Sequence, residues 1–226
     1  MTVTEVARLI DVSAVRTAHS LNDIIEIVQC AKRHRFINVH ALPCWIQALA
    51  EMLKEEADIY VGAPVGFPSG AHRTEVKVLE AECLLNDGVQ EMDIVMNVSK
   101  FKNREYRYVL DELRTIVGLA DGRALTKVII ELNALTDYEA EKACEIVMNS
   151  GADFLKTGTG WIPGGANIER IRRIKQLTQG SIKVKAAGGI RTREEFDALL
   201  ALGVERFGIN MNSALEIIQE YERRGT

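Results

Sequence analysis

Three residues in this chain have the types and setting for covalent chemistry on a carbonyl: Lys156, Lys185 and Asp93. Lys156 closes a short apolar run in Gly151-Ala-Asp-Phe-Leu-Lys-Thr-Gly-Thr-Gly160, just before a glycine-rich turn. An amine placed there leaves a buried strand and enters a loop, where a small carbonyl compound could reach it. A lysine attacks a carbonyl only as the free amine, and an ordinary lysine is almost fully protonated at neutral pH. Partial burial and a neighbouring cation both disfavour the charged form. Lys185 can be that neighbour. A carboxylate such as Asp93 can then relay protons, directly or through water, during carbinolamine and enamine steps.

These side chains need elements to hold them, and the apolar pattern supplies eight strand–helix units. Strands are expected at residues 6–12, 36–41, 59–65, 91–96, 125–132, 153–157, 182–187 and 206–209. Helices are expected at 21–35, 45–53, 74–86 and 106–120, from 136 or 137 to 149, and at 168–177, 192–202 and 213–221. Residues 21–35 show the rule: Leu21, Ile24, Ile25, Ile27, Val28 and Ala31 recur at helical spacing behind a possible cap, Ser20. Short connections between alternating strands and helices argue for a parallel sheet with crossover helices. Eight units in 226 residues point to an α/β fold, a closed (β/α)8 TIM barrel; a doubly wound open sheet is the runner-up. With no repeat, low-complexity tract or Ser/Pro-rich linker, residues 1–226 are expected to form one domain.

Composition narrows the function classes. Hydrophobic residues make up 47% and charged residues 27%, the balance of a soluble protein with a real core. The formal net charge is −4 with the signs interspersed, so no basic face for nucleic acid is visible. No apolar run is long enough to span a bilayer, and the opening residues lack the apolar core of a signal peptide. Cys30, Cys44, Cys83 and Cys144 lie far apart without a CxxC pair, which suits reduced thiols in a cytoplasmic protein.

In a barrel, alternate strand residues face the lumen. If Met92, Ile94 and Met96 face the helices, Glu91 and Asp93 face inward; the same alternation turns Lys127 and Glu131, then Lys183 and Lys185, toward the lumen. A packed lumen prefers Val, Ile and Leu, because an unpaired buried charge is costly. Mutual ion pairing alone would explain such a set, but barrel enzymes carry their chemistry at the C-terminal strand ends, where Asp93, Lys156 and Lys185 are expected.

With these residues assembled, the chain resembles the DeoC family of class I aldolases, the deoxyribose-phosphate aldolases. The likeness covers nearly the whole chain. It is carried by Val65-Gly-Phe-Pro-Ser-Gly70 with Thr74, Lys77, Glu80 and Ala81, by Glu91-Met-Asp-Ile-Val-Met-Asn97, and by Lys127-Val-Ile-Ile-Glu131. Ala152-Asp-Phe-Leu-Lys-Thr157 and Lys185-Ala-Ala-Gly-Gly-Ile-Arg191 complete it. The resemblance implies that Lys156 forms the Schiff base, Lys185 lowers its pKa and Asp93 relays protons. It also implies a barrel that is a homo-oligomer, often a dimer, and a reversible aldol reaction of acetaldehyde with a small aldehyde or sugar phosphate, without metal or other cofactor. Substrate contacts are expected from Asp11, Ser13, His40, Lys127, Thr159, Gly160, Gly188, Gly189, Arg191 and Asn210.

The chain also departs from the family pattern. Arg16-Thr17 stands where relatives have Lys-Pro, His40 where a cysteine is frequent, and Gly158 where a serine follows the nucleophile. Trp161 replaces a smaller or basic residue, and Asn210-Met211 replaces a phosphate-holding pair of serines. These changes motivate a second reading, a Schiff-base aldolase for another, unphosphorylated, sugar-derived substrate. A third is a non-catalytic metabolite-binding barrel, against which the joint presence of Asp93, Lys156 and Lys185 counts. The glycines at 158, 160 and 164 lack dinucleotide-fingerprint spacing, and His40 with Cys44 lacks further metal ligands.

Overall fold

The computed structural model describes residues 1–224. Eight parallel strands pair in chain order and close on themselves: β1 (Ile10–Ala14), β2 (Asn38–Ala41), β3 (Tyr60–Val65), β4 (Glu91–Val95), β5 (Leu125–Ile129), β6 (Phe154–Lys156), β7 (Lys183–Ala187) and β8 (Arg206–Asn210). Closure is made by β8 on β1, with Ile10 opposite Phe207 and Ser13 opposite Asn210. The result is the expected (β/α)8 barrel.

Among the described residues ten α-helices accompany the strands: α1 (Val3–Ala7), α2 (Leu21–His34), α3 (Ile46–Leu53), α4 (Thr74–Asn86), α5 (Val98–Lys102), α6 (Tyr106–Ala120), α7 (Asp137–Met148), α8 (Ile168–Thr178), α9 (Arg193–Ala201) and α10 (Met211–Arg224). Their starts follow local chemistry. In α7 the Thr136 amide donates to Glu139 at 2.7 Å and the Glu139 amide returns a bond to the Thr136 hydroxyl at 3.3 Å. Thr192 and Glu195 do the same for α9. At the other end of α2, Arg35 takes a left-handed conformation and stops the helix.

The apolar core is the shell between strands and helices. Val12, Val39, Ile94, Val128, Leu155, Val184 and Phe207 point outward from the barrel and are fully buried, against Ile24, Leu49, Ile116, Ala143, Ile174 and Phe196 from the helices. Phe196 and Phe207 rings lie 4.2 Å apart. Each Val, Leu, Ile or Phe among them contributes roughly 1.5–3 kcal/mol on burial. That shell frees the lumen to be polar.

Three segments differ from the sequence reading. The first strand was expected at 6–12, but Thr2 and Glu5 form a capping box that starts α1, so the strand begins only at Ile10. The fifth strand was expected to run to Leu132, yet it ends at Ile129, because Glu131 adopts a left-handed conformation (φ 54°) and a 3₁₀ turn follows at Leu132–Ala134. Helix α5, begun by the Asn97 side chain accepting from the Lys100 amide at 3.1 Å, has no counterpart among the expected elements.

Candidate active site

The outward apolar sets on each strand force the alternate residues inward, and most of these are polar. Asp11, Asn38, His40, Glu91, Asp93, Lys127, Lys156, Lys185 and Arg206 are all buried within the barrel. Three carboxylates thus face four cationic side chains. Arg206 clamps the lower layer: its Nε donates to Asp11 at 2.8 Å, and Nη2 donates to both Glu91 oxygens at 2.9 and 2.7 Å. Lys127 joins Glu91 at 2.5 Å and lies 3.4 Å from Asp93 and 3.7 Å from Asp11. Burial alone would lower the Lys127 pKa, but Glu91, Asp93 and Asp11 outweigh it and raise the pKa, so this lysine stays charged.

Above that layer sit the residues expected to carry the chemistry. Strands β6 and β7 align Lys156 with Lys185. Lys156 Nζ donates to Asp93 Oδ2 at 2.6 Å, and Lys185 Nζ donates to the same oxygen at 2.8 Å while contacting Asp11 at 2.5 Å. Burial disfavours ionised Asp93, but His40, Lys156, Lys185 and Lys127 around it hold its pKa well below the usual range. Lys156 falls to about 8: burial is the main cause, Lys185 and Lys127 add to it, and Asp93 opposes. A surplus of one cation in a dry lumen is relieved when one ammonium gives up its proton. Lys156, at the last position of its strand, is the more open of the two lysines to the cavity above, its side chain 10% exposed against 1% for Lys185.

His40 occupies the neighbouring wall. Its Nδ1 lies 2.7 Å from Asn38 Oδ1, and Asn38 Nδ2 donates to Glu91 at 3.0 Å. Its Nε2 is 3.3 Å from Asp93 Oδ2. The ring has room only because position 62 of β3 is glycine: a Cβ there would lie 2.1 Å from Nδ1. Burial pushes the imidazole pKa well below its ordinary value, Asp93 opposes, and Lys185, Lys127 and Lys156 add to the lowering.

A cavity of about 500 Å³ opens over this cluster at the C-terminal ends of the strands. Lys156, Lys185, Asp11 and His40 line its floor, and Ser13, Thr159, Gly160, Gly188, Gly189 and Asn210 line its walls. Gly188 and Gly189 both have positive φ (95° and 81°), and a Cβ on Gly189 would come within 2.7 Å of Gly165. Asn210 caps α10, accepting from the Ser213 amide at 3.1 Å. Thr159 is less free than expected: both its amide and its hydroxyl donate to Glu131. Glu131, expected in the lumen, instead holds the loop that follows Lys156.

Three expectations change. Arg191 is exposed: it precedes the capping box of α9, its amide donates to Glu195 at 2.8 Å, and Gly188, Gly189 and Ile190 are the residues of that loop on the cavity wall. Lys127 lies beneath the cavity floor in the lower ionic layer. Lys183 is exposed, its ammonium 5.5 Å from the Phe154 ring, and plays no part in the lumen.

Other contacts had no place in the sequence reading. Arg206 and Asn38 complete the lumen network, and alternation against Phe207 and Val39 could have found both. At the mouth, Arg16 donates to the Gly160 carbonyl at 2.8 Å, while Trp161 Nε1 donates to the Val15 carbonyl at 3.2 Å and packs edge-on against Phe67. No local pattern announces these loop-to-loop bonds. Among the described residues, no group of three or more His, Cys, Asp or Glu side chains could hold a metal ion.

Comparison with known proteins agrees with this geometry. The profile of the DeoC/LacD family aldolases matches residues 12–208. The deoxyribose-phosphate aldolase of Sinorhizobium medicae (strain WSM419) is 42% identical over 216 residues, covering 96% of this chain and 87% of that one. Among solved structures, the aldolase QR15 superposes with a TM-score of 0.91 at 36% identity, covering 98% of this chain and 97% of that one. The tetrameric deoxyribose phosphate aldolase from Aeropyrum pernix gives 0.90 at 25% identity, with 98% and 92% covered. With its barrel, its paired lysines and a profile match over most of its length, the chain belongs to the DeoC/LacD family of aldolases.

Proposed function

We propose that this chain is a class I deoxyribose-phosphate aldolase, cleaving 2-deoxy-D-ribose 5-phosphate to glyceraldehyde 3-phosphate and acetaldehyde and catalysing the reverse addition. The observation that carries the reading is Lys156, buried at the cavity floor, bonded to Asp93 at 2.6 Å and with its pKa drawn down to about 8. As the free amine, its Nζ adds to the substrate carbonyl carbon. Loss of water then gives a protonated imine at C1, an electron sink. As the C3 hydroxyl loses its proton, the C2–C3 bond breaks, releasing glyceraldehyde 3-phosphate and leaving the acetaldehyde enamine on Nζ, which is protonated at C2 and hydrolysed. Lys185 keeps positive charge beside the nucleophile, and Asp93 moves protons at Nζ and at the carbinolamine oxygen.

The wall at Gly188 and Gly189, with the start of α10 opposite, supports binding of the phosphate through backbone amides. Asp11, Ser13, His40 and Asn210 are placed to meet the sugar hydroxyls. The relatives named for a phosphosugar favour this substrate over an unphosphorylated one. We assign the chain one barrel domain, a homo-oligomeric state in line with the tetrameric relative, and a cytoplasmic location; among the described residues no helix is long and apolar enough to cross a membrane.

Borohydride reduction in the presence of acetaldehyde, followed by peptide mass mapping, tests the chemistry. An adduct on Lys156 is expected; its absence, together with unimpaired turnover after Lys156→Met, would overturn the assignment. Comparing cleavage of 2-deoxyribose 5-phosphate with that of 2-deoxyribose tests the substrate, with the phosphate ester expected to react faster.

A further inference from the structure

His40 presents an unusual arrangement at the edge of the catalytic cluster. Asn38 has one donor nitrogen and one acceptor oxygen, and Glu91 accepts from the nitrogen. The oxygen must therefore face His40, and the nitrogen 2.7 Å away from it, Nδ1, must carry hydrogen. The opposite tautomer would set two acceptors against each other there. In the neutral ring, Nε2 is then a bare lone pair. It is buried, without a hydrogen-bond partner, and lies 3.3 Å from Asp93 Oδ2. That is the same oxygen that receives Lys156 Nζ at 2.6 Å.

We infer that His40 Nε2 holds the proton that Lys156 must shed before it attacks, received through Oδ2 of Asp93. This rests on Lys156 being the Schiff-base lysine. In the forward step an Nζ–H bond breaks, leaving its electron pair on nitrogen, and the proton passes by Oδ2 to form Nε2–H. The free pair on Nζ adds to the carbonyl carbon, and a second Nζ proton moves to the resulting alkoxide. His40 then returns its proton through Asp93 to the carbinolamine hydroxyl, which leaves as water while Nζ forms the imine. Protons and charge balance within the cluster, with no exchange with solvent. The imidazolium forms against burial, the main cause of the lowered His40 pKa, and against Lys185 of β7 and Lys127 of β5. Loss of the Lys156 charge from β6 removes one of the three facing cations, while Asp93 of β4 and Asp11 of β1 stay to hold the proton. On β3 the ring lies over Gly62, which carries no charge. His40 is thus a positioning residue for the proton, acting through Asp93.

The test is the pH dependence of single-turnover imine formation with acetaldehyde, followed by borohydride trapping. In the wild type, the reactive form has the same number of protons as the resting form, so the rate is expected to stay nearly flat from pH 8 down to about 6. In His40→Asn the lysine must lose its proton to solvent, and the rate should fall about tenfold per pH unit below 8. Parallel profiles in the two proteins overturn the relay, because a merely structural histidine lowers the rate equally at every pH. Nitrogen chemical shifts of the His40 ring in the wild type give an answer independent of the variant's folding: protonated Nδ1 with bare Nε2 supports the relay, and the reverse tautomer overturns it. Absence of any wild-type adduct on Lys156 would instead remove the Schiff-base reading itself, and the relay with it.

Discussion

Lys156 and Lys185 share one acceptor atom, Oδ2 of Asp93, at 2.6 and 2.8 Å. One carboxylate oxygen has lone pairs for both donors, but its single charge cannot offset two buried ammonium groups. The asymmetry between them decides which gives up its proton: Lys185 also has Asp11 at 2.5 Å, whereas Lys156 has Asp93 alone among the carboxylates and faces the cavity.

Removing each lysine therefore has opposite consequences for stability. Lys156→Met takes away the surplus cation, leaves every carboxylate with a partner, and is expected to keep the melting temperature while abolishing imine trapping. Lys185→Met takes one charge-assisted contact from each of Asp11 and Asp93, which keep Arg206 and Lys156 as partners, a loss of about 3 kcal/mol. Thermal unfolding should show a drop on the order of 10 °C for Lys185→Met only.

The lowered pKa of Lys156 makes stability depend on pH. Between about 8 and the ordinary value of 10.5, the unfolded chain keeps a proton on this lysine that the folded chain has lost. Stability then rises with pH across that window, by about 3 kcal/mol from this group. Denaturant unfolding of wild type and Lys156→Met at pH 8 and pH 10.5 should show the rise in the wild type and its loss in the variant. Equal slopes in both proteins would contradict it.

Gly62 and His40 are expected to be energetically coupled. In Gly62→Ala the new Cβ meets the imidazole at 2.1 Å and must displace it, lowering both stability and turnover. The double variant Gly62→Ala with His40→Ala removes the clash with the ring and leaves only the tip of the Asn38 side chain, at 2.7 Å, to shift. A double-mutant cycle should give a coupling of about 1–3 kcal/mol, and additive effects would mean that the ring moves aside freely.

A second buried ion pair lies outside the barrel. Lys77 of α4 donates to Glu112 of α6 at 2.6 Å and to the Val95 carbonyl at 2.7 Å, with the Gly70 carbonyl 3.5 Å away. It sits under the loop that carries Phe67 to the cavity, and Glu80 of α4 accepts from the Gly66 amide at 2.6 Å. Burial lowers the Lys77 pKa against the pull of Glu112. Glu112→Ala should cost about 3–5 kcal/mol. It should also loosen the loop, read as faster amide exchange at residues 66–70.

The strand alternation that placed Asp93, Lys127, Lys156 and Lys185 inside the barrel was legible because Met92, Ile94, Val128 and Val184 left no other choice of outward face. The same reasoning reaches Arg206 and Asn38, whose neighbours Phe207 and Val39 are apolar. Lys77 is different. On a helix, a lysine between valines reads as solvent-exposed, and only the loop folded over it decides otherwise. Glu131 was misplaced because Ile129, Ile130 and Leu132 continue an apolar run, whereas its left-handed backbone is imposed by the bonds it makes to Thr159. The bonds from Arg16 to Gly160 and from Trp161 to Val15 join loops more than 140 positions apart, a proximity that only the closed ring creates.

The Arg206–Asp11 bond spans 195 positions of chain. During synthesis, Asp11 emerges early and waits for a cation that is made almost last. Until β8 closes against β1, the carboxylates of the lumen lack their arginine and the barrel has two open edges. No half of this protein can carry the reaction centre by itself, and a nascent chain stalled short of β8 would expose a polar interior and unpaired strands to whatever holds it.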